Sequence, residues 1–125
     1  MGAVAGPNII VLMLTAMEHD IQARMNAKMD SQMLLSMRSI FYGDQKARLY
    51  SQLQNQDPNS YAYKKVLEQI SRFEAQERVI QQMEKQIEMQ MKQLETQLKM
   101  VQQRKEGAEK MLEKNIQTAF NYGQR

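Results

Sequence analysis

Apolar residues recur along this 125-residue chain in two different rhythms, and the rhythm changes at a turn signal. Every seventh residue from Val66 reads Val66, Phe73, Ile80, Ile87, Leu94, Val101 and Ala108, with Asn115 next. Four residues after each lies a companion column: Ile70, Glu77, Glu84, Met91, Leu98, Lys105, Leu112 and Ala119, apolar at five of eight places. Seven residues make two helical turns, so both columns return to one face and form the seam of a coiled-coil arm. Glu77, Glu84 and Lys105 interrupt that seam. Polar seam residues cost stability and fix register or partner choice; alternatively Val79 and Met83 take over the contact where Glu intrudes.

Before the turn the rhythm is four. Met13, Met17, Ile21, Met25, Met29, Met33, Met37 and Phe41 form an unbroken apolar series at that spacing. Four residues turn a helix by about 400°, so the series drifts and winds roughly 280° around the axis. One flat neighbour cannot cover it. The pattern predicts a helix that meets several others in succession, as in a bundle, a tube wall or a right-handed supercoil.

The boundaries follow from local chemistry. Residues 1–8 read as a flexible arm, with Asn8 after Pro7 as the N-cap of a helix that begins at Ile9. The first arm runs over 9–54, with a kink or short break expected at Gly43-Asp44. Residues 55–60 (Asn-Gln-Asp-Pro-Asn-Ser) form the turn, because Pro58 disfavours helix at Asp57 while Asn59 or Ser60 can cap the next helix. The second arm spans 61–120, about 90 Å of helix, and 121–125 form a tail. Five acid-first pairs four apart (Glu68/Arg72, Glu74/Arg78, Glu88/Lys92, Glu95/Lys99, Glu106/Lys110) support that long helix.

Composition sharpens this picture. Ala, Leu, Met, Gln, Glu, Lys and Arg supply 77 residues, while Val, Ile, Leu and Phe number only 26 and Trp is absent. Such a chain is helical and too poor in bulky side chains for a compact globule, which points to an extended, oligomeric protein. No cysteine is present, so disulfides, thiolate metal sites and a cysteine nucleophile are excluded. Thioether sulfur can bind reduced copper, but one His19 and no Cys make a poor ligand set. The expectation is no metal and no cofactor.

Net charge is +3, and the surplus lies after residue 57, interleaved with Glu. A basic residue recurs every seven at Arg78, Lys85, Lys92 and Lys99, the spacing of a solvated face. Nucleic acid is not an expected partner, because affinity for it needs clustered Lys and Arg. Ile9–Met17 is far too short to cross a bilayer and lacks the basic flank of a signal peptide. Gly6 stands where a myristoylation motif wants Ser or Thr. The chain is expected to be made in the cytoplasm without a cleaved signal, and to stay there, leave by a non-Sec route or join a cell-envelope assembly. Membrane contact through Ile9–Met17 is the least favoured partnership, since Glu18 and Asp20 follow at once.

No phosphate loop, nucleophile–base pair or His-Glu metal spacing is present, and the carboxylates are placed as ion-pair partners. An enzyme is not expected. Tyr42, Tyr50, Tyr61, Tyr63 and Tyr122 fall near the breaks and ends, where an amphipathic ring packs on one side and stays wet on the other.

Ile9–Met17 leading into an amphipathic helix, Asp57-Pro58-Asn59 at a reversal and the stretch Met111–Arg125 together resemble the needle, filament and translocon-associated subunits of type III secretion. The resemblance is architectural. It implies terminal helices that polymerise into a hollow tube and export without a cleaved signal, and it assigns no residue a role.

The sequence therefore predicts an all-α protein, a single helical-hairpin domain over 1–125 that assembles into a larger bundle or filament. Its interface is expected at Met13, Met17, Ile21, Met25, Met29, Met33, Met37 and Phe41, and at Phe73, Ile80, Ile87, Met91, Leu94, Leu98, Val101 and Leu112. Two roles are open. One is a structural subunit that binds its own copies; the other is a coiled-coil adaptor or secretion chaperone that grips a different helical protein.

Overall fold

A computed structural model describes residues 2–123 as two α-helices, α1 (Gly2–Leu53) and α2 (Tyr61–Gly123), joined by a short turn. The chain is all-α and folds as a helical hairpin, with no strand among the described residues. Met1 and the last two residues of the expected tail lie outside the described residues.

The turn is built by Asp57 and Ser60. The Asn59 N–H donates to the Asp57 carboxylate at 3.1 Å, an Asx turn that reverses the chain around Pro58. Ser60, not Asn59, caps α2: its Oγ accepts from the Tyr63 N–H at 3.2 Å and donates to the Asp57 carbonyl at 2.7 Å. On the other side, the Asn55 and Gln56 N–H groups donate to the Gln52 and Leu53 carbonyls, closing the last turn of α1.

Three boundaries differ from the sequence-based expectation, the simplest being that α2 runs on to Gly123 through the first three residues of the expected tail. Helix α1 starts at Gly2, so the expected arm is helical and Asn8 is an interior residue, not a cap. Ala3 and Ala5 are strong helix formers, and Pro7 lies close enough to the N-terminus to forfeit a single backbone bond. Helix α1 also runs through Gly43 without a break, and no glycine among the described residues takes a positive φ. The reason is packing on both sides of it: Tyr42 lies against Phe73, ring centroids 5.7 Å apart, and Leu49 joins Val66 and Ile70 in a buried cluster. Those contacts outweigh the roughly 1 kcal/mol that glycine costs inside a helix.

The chain forms two compact units. One pairs α1 up to Ala27 with α2 from Met91 onward; its core is Leu14, Ile21, Leu94, Val101 and Ala108, with Val11, Met25 and Leu98 packed against it. The other, Lys28–Gln90, contains the turn. Its buried residues are Leu35, Leu49, Val66, Ile70, Ile80 and Ile87, of which Ile70 is the most enclosed at 3% exposure. In both units the buried and half-buried residues of α2, Glu74 excepted, fall on the two seven-residue columns of the sequence. Glu77 and Glu84 occupy their inward places, whereas Val79 and Met83 are exposed and do not replace them.

An added Cβ at Gly43 meets nothing within 4 Å, and the backbone there is helical. Gly43→Ala should therefore raise stability by about 0.5–1 kcal/mol, read as a higher urea midpoint with an unchanged slope.

Candidate assembly surface

The sites nominated from sequence separate into two groups. Phe73, Ile80, Ile87, Met91, Leu94, Leu98, Val101 and Leu112 are buried or half-buried, on the α2 face that packs on α1. Leu94, Leu98 and Val101 join the core of the first unit and Phe73 packs against the Leu49, Val66 and Ile70 cluster of the second. Ile21 and Met25 go the same way, into the core of the first unit. Met13, Met17, Met29, Met33, Met37 and Phe41 remain exposed. The series crosses the inward face only at Ile21 and Met25, as a column that drifts around its helix must.

Helix α1 instead turns a seven-residue pattern inward. Leu14 and Ile21 in the first unit, and Leu35, Tyr42 and Leu49 in the second, stand one or more heptads apart. Around the latter, the half-buried positions are Lys28, Gln32, Ser39, Gln45 and Lys46. Sequence reasoning misses this column because its companion, Val11, Glu18, Met25, Gln32, Ser39, Lys46 and Leu53, is polar at four of seven places.

Two polar seam positions have partners across the hairpin. In the second unit Lys46 Nζ lies 3.2 Å from Glu77 Oε1, each side chain 24% exposed. That oxygen is shielded from solvent yet sits off hydrogen-bond geometry, so the contact is charge attraction. In the first unit Lys105 Nζ lies 3.5 Å from Glu18 Oε2. The two residue numbers add to the same total in each pair, the mark of an antiparallel register, and that was the signal available in the sequence.

Tyrosines and remaining charges behave as edge residues. The Tyr50 hydroxyl donates to Glu74 Oε1 at 3.1 Å, and this hydrogen bond to a carboxylate, aided by desolvation, holds the phenol above its ordinary value of 10.0. Lys65 sits 5.3 Å from the Tyr61 ring centroid, a cation–π contact. Glu106 and Lys110 close at 3.3 Å, as their spacing implies. Among the described residues no group of His, Asp and Glu could hold a metal ion, and no helix is long and apolar enough to cross a membrane.

The apolar residues left in solvent are many. On α1 they are Ile9, Ile10, Leu12, Met13 and Met17 in the first unit, and Met29, Met33, Leu34, Met37, Ile40 and Phe41 in the second. On α2 the first unit exposes Met100, Met111, Ile116 and Phe120. No protein-family profile matches this chain, and neither a curated protein nor a solved structure matches it.

Replacing Lys46 alone by Leu strands a half-buried carboxylate and should cost about 1–2 kcal/mol. Replacing Lys46 and Glu77 together by Leu should recover that loss or more, as measured by urea unfolding of the two single variants and the double variant. Tyr50 supplies a second check. Its folded phenol is raised, so the stability it contributes is complete below pH 10.0 and is lost as pH climbs through the folded value. Glu74→Gln should bring the tyrosinate absorbance change of Tyr50 to lower pH, with Tyr50→Phe identifying that transition.

Proposed function

We propose that this chain is a non-enzymatic structural protein that self-assembles through the apolar helical faces its hairpin leaves uncovered. One observation carries the reading. Within each unit α1 leaves large apolar side chains in solvent, Ile9, Ile10, Leu12, Met13 and Met17 in the first and Met29, Met33, Leu34, Met37, Ile40 and Phe41 in the second. A surface of that kind is covered in use, since exposed apolar patches of several hundred Å² mark association. The spacing of three and four between buried positions within each unit supports describing the paired arms as an antiparallel coiled coil.

Growth into a filament or tube follows where contacts between copies do not close, and the architectural resemblance to secretion-needle subunits suggests a secretion apparatus as the setting. The second reading, an adaptor or chaperone for another helical protein, is favoured by the methionines among the exposed residues, because flexible thioethers repack against varied partners.

Sedimentation velocity and light scattering across micromolar concentrations separate the two. A structural subunit should sediment faster and scatter more as it is concentrated. An adaptor should hold one small mass throughout, and a monomer that never associates contradicts the structural role.

A further inference from the structure

In the second unit α1 is turned inside out for a solitary hairpin. Its inward places between residues 28 and 46 are Lys28, Gln32, Leu35, Ser39, Tyr42, Gln45 and Lys46, while Met29, Met33, Leu34, Met37, Ile40 and Phe41 face away. Those six exposed residues are 51% to 66% accessible, which amounts to roughly 700 Å². Their spacing makes them one surface: Met33, Met37 and Ile40 follow at four and three residues, as do Leu34, Met37 and Phe41 at three and four. From Ser31 to Gly43 there is one charge, Arg38. Asp30 and Asp44 lie one heptad either side of Met37, and a two-fold there turns each toward the other aspartate of the second copy, which favours crossed helices over a strictly antiparallel alignment.

We infer that this stripe is where a second copy of the chain docks, stripe against stripe across a two-fold axis near Met37. The inference rests on the self-assembly reading and names its contact. Two such stripes hold roughly 1,400 Å² between them, so a contact that covers most of it approaches the area of a stable specific pair. The alternative of a stripe docking on some other face of the same unit finds no match there. The exposed apolar residues of α2 in this unit are Leu67, Val79, Met83 and Met89, single or at most paired among Gln and charged neighbours. The only apolar surface of matching length among the described residues of this unit is the stripe itself. A patch that pairs with its own copy gives an isologous contact, which closes at two. Larger assemblies then use dimers as their unit and need a different surface to grow.

Met37→Glu tests this on the full chain by sedimentation equilibrium. A carboxylate at the middle of the contact should weaken the first association step about 100-fold, with helix content by circular dichroism unchanged because the position is solvent-facing in the hairpin. Met89→Glu, exposed on α2 outside the stripe, should leave association as it was. The chain lacks cysteine, so Met37→Cys adds a single thiol. Under mild oxidation it should give a covalent dimer in high yield, and Met89→Cys should not. If the wild type associates and Met37→Glu associates equally well, the stripe is not the contact, although self-assembly stands. If Met37→Glu disrupts association but Met37→Cys fails to cross-link, the two-fold arrangement is wrong. A wild type that stays monomeric overturns both this inference and the assembly reading.

Discussion

Two helices can share only one face each, and that limit governs this molecule. A seam of two positions in seven covers a narrow strip of each cylinder. Helix α2 comes nearer the limit, because the apolar residues it buries keep a seven-residue period and its other faces are richer in Gln, Glu, Lys and Arg than in apolar residues. Helix α1 does not fit, because its apolar residues are spaced by four and spread around the axis. It therefore has apolar claims in two directions, and α2 answers one of them.

The polar residues within the seam show what the hairpin gains from its imperfections. Glu18 and Lys105 in one unit, and Lys46 and Glu77 in the other, are half-buried pairs of opposite order: the acid is on α1 in the first and on α2 in the second. A helix that slid by one heptad in either direction would set Glu18 against Leu98 or Leu112 and leave its charge without a partner in a poorly hydrated groove. Such pairs add little net stability, since desolvation offsets attraction. They discriminate among registers that apolar residues alone would treat as nearly equal.

How much was legible depends on periodicity. The α2 columns could be read from sequence because Val66, Phe73, Ile80, Ile87, Leu94 and Val101 never leave their place, and the turn could be read because Pro58 and Ser60 act through local chemistry. The inward face of α1 could not be read. Leu14, Ile21, Leu35, Tyr42 and Leu49 are separated by Lys28 and hidden behind a louder methionine series. Gly43 and Asn8 mislead for a related reason: their local preferences, worth about 1 kcal/mol each, are small beside the packing and propensity of a long helix. Six members of the methionine series are exposed, and the eight α2 residues nominated with them are buried or half-buried.

The polarity of the 28–46 stretch of α1 bears on how the protein holds together as well as on what it binds. Exchanging its two faces would place Met33, Met37, Ile40 and Phe41 against α2 and Lys28, Gln32 and Lys46 in water, a composition better suited to a stable isolated hairpin. The chain has the opposite arrangement, with Leu35 and Tyr42 as the bulky inward residues along most of that stretch. A partner that covered the outer face would bind the folded helix and not the unfolded chain, and would so stabilise the hairpin by mass action. Under the proposed pairing of copies, folding and assembly are thus linked through one helix, and the stability of this segment rises with the concentration of the protein itself.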